Sequence, residues 1–418
     1  MMMLRALMLL VFASTATAAS LDEAYRGALT RMESIASSRE LVTQADARQG
    51  RARGSVLPNV NFIASHQRQE EYLLPGATSA FGKVDQTTLR LNATQPVFRG
   101  LAEYATLRQA GDLKQASLED QSNMRRLLYL DVVTAFYTAL SQEQELLHLD
   151  ELLDVTKKRA ADLESRSRIG RTRPSEVAAP TAQTHRLEAE RAELAGLRDS
   201  TRAQLEFLTG IASGTPLQDA LMGTAGLKGV EEYQREVAAR PDLKGAVARA
   251  SAASEGITVA RAGHLPLIDL AGNYYFKRPG VLTNVNWDVT ASLTFPLFQG
   301  GAVMASSKEA AAAWRSQELT ASQAHRQAEM EVRQLHATVM ALENQVKSLE
   351  LSVASASAAY KAQVQEYRLG IENNINVLTA LDALVTARRS LDRARANRAA
   401  GVARLEAAAS RGPWLEGA

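Results

Sequence analysis

Cysteine is absent from the 418-residue sequence, so no disulfide can hold the fold and no zinc site can use thiolate ligands. Proline and glycine are scarce, at 11 and 25 residues, and aromatic residues make up 5%. Because an all-β sandwich needs many turns, this composition favours long helices. Charge of one sign is not in excess, since 48 Lys and Arg stand against 46 Asp and Glu, scattered along the chain. Nucleic-acid binding is therefore not indicated.

Signatures of catalysis are also missing from the sequence. It contains no glycine-rich phosphate loop, no Gly-x-Ser-x-Gly elbow and no HExxH pair. The six histidines fall in different predicted elements, where solvated surface positions are the simplest interpretation. We therefore expect no enzyme activity, no catalytic residue, no cofactor and no bound metal.

The first residues have the pattern of a secretory signal. Arg5 supplies the positive charge, Ala6 to Phe12 the apolar stretch, and Ala16-Thr17-Ala18 a small-residue cleavage site. A buried helix or a membrane anchor is the alternative, but about seven apolar residues are far fewer than the ~20 that cross a bilayer. We predict export and a mature chain that begins near Ala19. No later segment is apolar for long enough to be a transmembrane helix, so a membrane location would require a β-barrel.

An internal repeat organises the rest of the chain. Leu91–Gly100 matches Ala291–Gly300 with identical threonine, proline, phenylalanine and glycine, and Arg168–Gly170 matches Arg368–Gly370 at the same offset of 200 residues. Each copy has the pattern of a helix, two strands and two long helices. The predicted boundaries are a signal peptide at 1–18, a first repeat at 19–209, a linker at 210–229, a second repeat at 230–411 and a C-terminal tail at 412–418.

Four strands are predicted, two in each copy. Residues 287–295 alternate strictly between apolar and polar side chains, and residues 88–94 also alternate. Residues 60–62 and 268–276 supply weaker alternation for the other two strands. The four strands form two hairpins, with loops around Leu74–Gly76 and Lys277–Gly280. If this sheet borders lipid, the side chains expected to face lipid are Trp287, Val289, Ala291, Leu293 and Phe295. The polar set Asp288, Thr290, Ser292 and Thr294 would face a wet lumen. A soluble half-buried sheet would show the same alternation.

Strand number sets a requirement on assembly. Four strands are too few to close a transmembrane barrel, and an open sheet edge is not tolerated in lipid. The chain must therefore oligomerise if the strands enter a membrane. Two chains would supply eight strands and three would supply twelve, and the residues alone do not choose between them.

Long helices follow Gly100 and Gly300. Each runs for roughly 65 residues, which at 1.5 Å per residue is about 100 Å. The last helix carries a heptad seam in which large and small residues alternate: Val377, Ala380, Leu384, Ala387, Leu391, Ala394, Arg398, Gly401 and Leu405. The first copy has a looser seam: Leu187, Leu194, Leu197, Leu205 and Leu208. Residues 20–54 are also predicted to be helical, up to the region of Pro58.

These features together resemble the TolC-like outer-membrane efflux protein family, from about Leu21 to Arg411. The motifs that carry the resemblance are the duplicated plan, Pro-x-Phe-x-Gly at Pro96 to Gly100 and at Pro296 to Gly300, and Tyr-x-x-Gly at Tyr367 to Gly370. The resemblance implies a mixed α/β membrane protein: a homotrimeric 12-stranded β-barrel, four strands per chain, continued by an α-helical coiled-coil tunnel. The Pro-x-Phe-x-Gly segments would be the exits from barrel to tunnel.

Function, partners and location also follow from the resemblance. It implies a passive channel for efflux or type I secretion, in the outer membrane of a Gram-negative bacterium with the tunnel in the periplasm. The implied partners are a periplasmic adaptor protein, an inner-membrane pump, outer-membrane lipid and two further copies of the chain. A periplasmic adaptor or a structural coiled-coil protein is the alternative. An adaptor would carry one helical hairpin instead of two, and a coiled-coil protein would lack the strands.

The resemblance assigns further residues to the periplasmic aperture. The family's acidic pore positions, six and nine residues after Gly370, fall on Asn376 and Thr379, and its arginine two residues after that glycine falls on Glu372. Because a ring of asparagines holds cations less strongly than a ring of carboxylates, we expect weak block by multivalent cations. The alternative is that Asn376 is an N-cap. The predicted aperture and tip residues are Gly170, Glu176, Tyr367, Gly370, Glu372, Asn376 and Thr379.

Overall fold

Helices dominate the protein, whose structure is a computed structural model that describes residues 18–70, 85–171, 173–218, 226–280 and 282–415. It is 73% helical, with one antiparallel sheet. The elements are α1 (Leu21–Arg31), α2 (Glu33–Gly54), β1 (Asn59–Arg68), β2 (Asp85–Arg99), α3 (Ala102–Arg168), α4 (Pro174–Thr209), α5 (Val230–Glu236), α6 (Pro241–Arg261), β3 (Leu267–Lys277), β4 (Trp287–Thr294), α7 (Ala302–Arg368) and α8 (Asn374–Ala408). The predicted loop at Leu74–Gly76 and nearly all of the predicted signal peptide lie outside the described residues.

The two predicted long helices are confirmed. α3 and α7 each have 67 residues, begin two residues after Gly100 and Gly300, and would each extend about 100 Å. The helices that follow them are also of nearly equal length, with 36 residues in α4 and 35 in α8. No helix among the described residues is both long and apolar enough to cross a membrane.

The prediction of one continuous helix over residues 20–54 is wrong, because the helix is interrupted at Met32. Ser20 starts α1 with a capping box, in which its hydroxyl accepts from the Glu23 amide and the Glu23 carboxylate accepts from the Ser20 amide. Met32 then adopts an extended backbone at φ −73° and ψ 122°. The break allows Ala28 before it and Ile35 after it to be buried in the same core.

Two compact units make up the fold. The first comprises the described parts of residues 1–36, 124–240 and 328–418, and the second comprises residues 37–123 and 241–327. Each unit therefore draws on both of the repeats predicted from the sequence. The predicted repeat boundaries themselves stay a prediction.

An aromatic cluster lies in the core of the first unit. The rings of Tyr25 and Tyr129 meet edge to face with centroids 5.2 Å apart, and Trp414 packs on Tyr129 at 5.1 Å. Burial raises the pKa of the Tyr25 hydroxyl, which donates to the Arg125 carbonyl at 3.2 Å. Trp414 is only 1% exposed, although it falls in the segment predicted to be a C-terminal tail. Trp414, in the C-terminal turn Pro413–Leu415, is thus part of this core.

The predicted seam of α8 is largely confirmed. Its buried members are Val377, Leu384, Ala387, Leu391, Ala394, Gly401 and Leu405. Ala380 and Arg398 are half-buried. In α4, Leu187, Leu194, Leu205 and Leu208 are buried as predicted, but Leu197 is 52% exposed. It lies three residues after Leu194, about 60° around the helix from it, at the edge of the buried stripe.

A buried carboxylate ties α8 to α3 inside the first unit. Glu145 is 3% exposed and accepts two hydrogen bonds from Arg393, at 3.0 and 2.7 Å. Arg389 approaches the same carboxylate at 3.5 Å and also binds Glu190 of α4 at 2.6 Å. Because a buried charge is tolerated only when it is paired, these bonds fix how the three helices pack.

Polar pairs along α3 also hold the second unit together. Arg108 binds the Glu255 carboxylate of α6 with two hydrogen bonds of 2.8 Å each, and Ser251 of α6 donates to Asp112 at 2.8 Å. On the α2 side, Lys114 contacts Asp46 at 2.5 Å, and this hydrogen bond lowers the pKa of the Asp46 carboxyl. α2 and α6 are therefore both attached to the first part of α3.

The residues after α8 are held by a cluster of carboxylates around Arg411. Its guanidinium binds Glu236 at 2.5 and 2.6 Å and Glu232 at 3.2 Å. It also lies over the Tyr233 ring, 5.2 Å from the centroid. The hydrogen bonds that Arg411 donates to Glu236, and next to Glu232, raise the pKa of Arg411, and the bond to Glu236 lowers the pKa of that carboxyl.

Replacing Arg411 by glutamine is expected to lower the thermal unfolding midpoint at pH 7. A carboxyl whose folded pKa is lowered adds stability above its unfolded pKa of about 4.3 and loses it as the pH falls through the folded value. The difference between Arg411→Gln and the wild type should therefore shrink below about pH 4. Arg404→Gln is the control, because Arg404 donates to the Thr134 hydroxyl and its effect should not follow carboxylate titration. Thermal unfolding in detergent at pH 3 to 8 measures both; a difference that is constant over this range would contradict the account.

Candidate functional site

The strand register divides the sheet into an apolar face and a polar face. The strands pair in the order β1-β2-β3-β4, all antiparallel, so β1 and β4 are the edges. Side chains on neighbouring strands that are in register lie on the same face. One register row joins Phe62, Leu91, Tyr274 and Trp287, and the next row on that face joins Val60, Ala93, Gly272 and Val289. One face is thus apolar across all four strands.

Polar side chains form a hydrogen-bonded row on the opposite face. Asn61, Asn92, Asn273 and Asp288 occupy one register row across the four strands. The Asn92 amide donates to Asn273 at 2.9 Å, and the Asn273 amide donates to Asp288 at 2.8 Å. Thr290 and Ser292 continue along β4 on this face, as the sequence alternation predicts. Three of the four residues in this row are therefore joined by side-chain hydrogen bonds.

The described residues leave the apolar face uncovered. Trp287 is 66% exposed, and Val289, Leu293 and Phe295 are similarly exposed. Four of the five predicted lipid-facing side chains are therefore large apolar groups that no described residue buries. At the hairpin end, Tyr274 and Phe276 meet edge to face at 5.3 Å, and Phe62 lies 6.3 Å from Phe276. An apolar surface of this extent marks an interaction site.

The two Pro-x-Phe-x-Gly segments differ in structure. Pro96 lies within β2, where the pairing with β3 is irregular between Pro96 and Phe98. Pro296 lies beyond β4, which ends at Thr294, and Phe298 is 88% exposed. Both segments end on a glycine with positive φ, 65° at Gly100 and 61° at Gly300. Each glycine thereby turns the chain from extended segment to long helix.

Both helical hairpins of the first unit close with the same turn. The Gly170 amide donates to the Ser167 carbonyl and the Arg171 amide to the Arg166 carbonyl, at 3.0 and 2.9 Å. The Gly370 and Ile371 amides make the equivalent bonds to Tyr367 and Glu366, both at 3.0 Å. These are Schellman motifs, and φ is 73° at Gly170 and 77° at Gly370. Both glycines, which the sequence places at the predicted tip, thus end their helices in the left-handed conformation.

At the second turn, the start of α8 is capped by Asn373. Its side-chain oxygen accepts from the Asn376 amide at 2.9 Å, so the alternative that Asn376 is the N-cap is wrong. The Asn376 side chain instead donates to the Glu372 carboxylate at 2.6 Å. Of the predicted aperture residues, Glu372 and Asn376 are therefore in direct contact. Asn373 was missed because Asn373, Asn374 and Asn376 are all plausible caps in sequence.

Thr379 and Glu176 lie apart from that contact. The Thr379 hydroxyl donates to the Ile375 carbonyl at 3.0 Å, and its side chain lines a cleft of about 240 Å³ with Pro180 and Arg186. Glu176 is exposed in the first turn of α4, where its amide donates to the Arg173 carbonyl at 2.9 Å. These two residues do not contact Glu372 or Asn376 in any hydrogen bond or ion pair of the described residues.

Tyr367 connects the two helical hairpins. The Arg159 guanidinium of α3 lies 4.5 Å from the centre of its ring. The neighbouring Arg166 binds Asp162 at 3.0 Å. The hydrogen bond to Asp162 is the largest cause that raises the pKa of Arg166, and the electrostatic interaction with Tyr367 is the next. The sequence singled out Tyr367 as part of a motif but not its arginine partners, because they lie some 200 residues earlier in the chain.

No group of three or more His, Asp or Glu side chains among the described residues is arranged to hold a metal ion. The arrangement can instead provide surfaces, namely an exposed apolar sheet face, a polar sheet face and two exposed helical turns.

Comparison with known proteins finds sequence similarity to a family and to individual relatives. The family described as "Outer membrane efflux protein" matches residues 233–411. The chain is similar to the Proteases secretion protein PrtF of Dickeya chrysanthemi, with 28% identity over 49% of this chain and 47% of PrtF. It is also similar to the Outer membrane protein TolC of Vibrio cholerae, with 24% identity over 82% of this chain and 80% of TolC. PrtF is thus a relative of which this chain spans only about half the length.

Solved structures extend the comparison to the fold. The outer membrane protein VceC from Vibrio cholerae matches with a TM-score of 0.81 at 19% identity, over 94% of this chain and 96% of VceC. At this identity the match concerns the fold alone. The similarities in sequence and in fold together confirm the resemblance to TolC-like proteins that the motifs predict.

Alanine substitutions at Gly100 and at Gly300 should distinguish the cost of backbone strain from the cost of a steric clash. Both glycines have positive φ, so each substitution strains the backbone, by about 1 kcal/mol or more. A Cβ at Gly100 would also lie 2.8 Å from the Ala262 Cα and carbonyl oxygen, whereas at Gly300 it would meet nothing within 4 Å. We expect Gly100→Ala to destabilise the protein clearly more than Gly300→Ala in denaturant unfolding. Equal losses would show that the contact with Ala262 does not contribute.

Proposed function

We propose that the protein is the outer-membrane channel of an efflux or type I secretion system, and that it conducts its cargo passively. The observation that carries this proposal is the sheet, whose apolar face is exposed across all four strands while the opposite face carries a hydrogen-bonded polar row. A sheet that separates lipid from a water-filled lumen has this distribution of side chains. The similarity to PrtF and TolC supports the same function.

The dimensions of the apolar face agree with a lipid boundary. From Trp287 to Phe295 the chain covers about 26 Å at 3.3 Å per residue, and the apolar band of such barrels is about 25 Å tall. Aromatic side chains lie near both ends of the face: Phe62, Tyr274, Phe276 and Trp287 at the hairpin end, and Phe295 and Phe298 at the other. Aromatic girdles at both interfaces are typical of membrane barrels. The predicted lipid-facing residues are therefore retained as a proposal.

Unpaired edges require further copies of the chain. β1 and β4 have no partner on their outer sides among the described strands, and a bare edge is not tolerated in lipid. Pairing of β4 in one copy with β1 in the next would close the sheet. We propose a homotrimer, in which three chains supply a 12-stranded barrel, because the resemblance to the TolC-like family implies this assembly. The two 67-residue helices and the equivalent turns support an internal duplication.

The long helices belong to the periplasm in this proposal, and the protein is located in the outer membrane. Helices of about 100 Å can form a tunnel that reaches toward the inner membrane. A periplasmic adaptor and an inner-membrane pump would meet its end at the two helical turns. Because the pump supplies the energy, we propose no catalytic role for this chain. An adaptor function is less well supported, since an adaptor needs no exposed apolar sheet.

Fractionation and bilayer conductance test the proposal. We expect the chain in the outer-membrane fraction of expressing Gram-negative cells, and the purified protein should form discrete conductance steps in planar bilayers. Cross-linking in detergent should give a ladder that ends at three copies. A protein found only in the soluble periplasm and without conductance would contradict the channel function, and a ladder that ends at two would contradict the trimer alone.

Replacing Asn376 by aspartate tests the proposed aperture. In a trimer the substitution would add three carboxylates beside Glu372, which already contacts Asn376, and a ring of carboxylates attracts cations. Current through Asn376→Asp channels should be blocked by a trivalent hexaamminecobalt ion at concentrations at least tenfold lower than through the wild type. Thr379→Asp is the companion variant at the other predicted position. Strong block of the wild type that Asn376→Ala abolishes would show that the asparagine ring is not the weak site we propose.

A further inference from the structure

The two equivalent turns carry different charge. We call residues 166–173 the arginine turn, because they contain Arg166, Arg168, Arg171 and Arg173 and no acidic residue. The second turn, residues 366–373, contains one arginine, Arg368, and two glutamates, Glu366 and Glu372. Since the backbone bonds of the two turns are the same, chain reversal alone does not explain the difference.

Two of the four arginines are already engaged. Arg166 binds Asp162 at 3.0 Å, and Arg168 lies 3.8 Å from Glu164. Arg171 and Arg173 are exposed, and neither makes an ion pair with any described residue. Their charges are therefore available to a partner.

Arg173 lies where the helix itself disfavours a cation. It is the N-cap of α4, but its side chain makes no capping hydrogen bond, since a guanidinium has no acceptor. The positive end of the helix dipole also lies at this end. The equivalent residue of the second turn, Asn373, caps α8 with a hydrogen bond of 2.9 Å to the Asn376 amide. A residue that opposes local stability at an exposed turn indicates a role in binding.

The chemistry of the arginine turn favours carboxylates of a protein over other anions. All four cations are arginine, whose planar guanidinium binds a carboxylate with two parallel hydrogen bonds, and arginine is enriched in protein interfaces whereas lysine is depleted. Ile169, between Arg168 and Gly170, is 66% exposed and supplies an apolar contact beside the charges. This combination of arginine and an exposed aliphatic side chain resembles the centre of a protein interface.

We propose that the arginine turn binds acidic side chains of a periplasmic protein partner through Arg171 and Arg173, and that the second turn does not share this charge recognition. This inference rests on the proposed function, which locates the turns in the periplasm. In the proposed trimer the two kinds of turn would alternate around the tunnel end. A partner would therefore meet two chemically different sites on each chain.

A designed helical hairpin can serve as the probe of this surface. One version carries four glutamates around its turn, and a second carries four glutamines at the same positions. Binding is measured by surface plasmon resonance on the full chain in detergent. At 50 mM salt the glutamate hairpin should bind at least about tenfold more tightly than the glutamine hairpin, and 500 mM salt should remove most of the difference.

Three variants assign the effect to residues. In the double variant Arg171→Gln and Arg173→Gln, the glutamate hairpin should bind only as tightly as the glutamine hairpin. Arg368→Gln, the matched change in the second turn, should leave the binding of both hairpins unchanged. Arg173→Asn should raise the thermal unfolding midpoint, because asparagine is a good N-cap, and should still weaken the glutamate hairpin. This last variant separates binding from folding, since its loss of binding cannot come from a less stable protein.

Several outcomes would overturn the inference. Equal affinity for the two hairpins, or an equal loss in Arg368→Gln and the double variant, would contradict charge recognition by the arginine turn. Tight binding of wild-type protein to anionic phosphatidylglycerol vesicles, abolished by the double variant, would point to lipid instead. Conductance of the same preparations separates the two proposals: channels without selectivity for the glutamate hairpin would end this inference alone, and absence of conductance would end the proposed function.

Discussion

An exposed apolar face on a sheet with two unpaired edges is the constraint on which the rest of the protein depends. Apolar side chains from four strands line one face, and the opposite face carries the polar row joined by the Asn92–Asn273–Asp288 hydrogen bonds. Water is a poor solvent for the first face, and lipid would not tolerate the second or the bare edges of β1 and β4. Copies of the chain arranged around a polar lumen, as proposed, would satisfy all three conditions at once, because edges would pair, apolar groups would meet lipid and polar groups would meet water.

The helices differ from the sheet in where their functional chemistry lies. Their surfaces pack against one another, and the turns at their ends carry the charged side chains. Large and small residues alternate along the buried seam of α8, and the Glu145–Arg393 pair fixes its contact with α3. Identical Schellman turns then reverse the chain at Gly170 and Gly370. With the backbone fixed by the glycines, the flanking side chains are free to differ between the two turns. The arginines of one turn and the glutamates of the other show how two turns with the same backbone can present two chemistries.

Local patterns in the sequence predicted the elements well, and long-range contacts account for what they missed. The glycines at 100 and 300 mark the starts of α3 and α7 in the sequence, and those at 170 and 370 mark their ends. They can be recognised locally because glycine alone adopts a positive φ without strain. Alternation over residues 287–295 gave the two faces of β4. The polar row was missed because it needs the β2–β3 register, which joins residues about 180 positions apart. The break at Met32 and the burial of Trp414 were missed for the same reason, since both depend on a core assembled from distant helices.

Spin labels on two neighbouring residues of β4 test the central claim most directly, because they report whether each side chain faces lipid or water. The chain has no cysteine, so Val289→Cys and Thr290→Cys each introduce a single thiol for a nitroxide label, on opposite faces of one strand. In lipid vesicles, electron paramagnetic resonance reports collisions of the label with oxygen, which concentrates in lipid, or with a water-soluble nickel complex. The account predicts that the label at 289 is relaxed mainly by oxygen and the label at 290 mainly by nickel. The same environment at both positions would contradict a sheet that separates lipid from water.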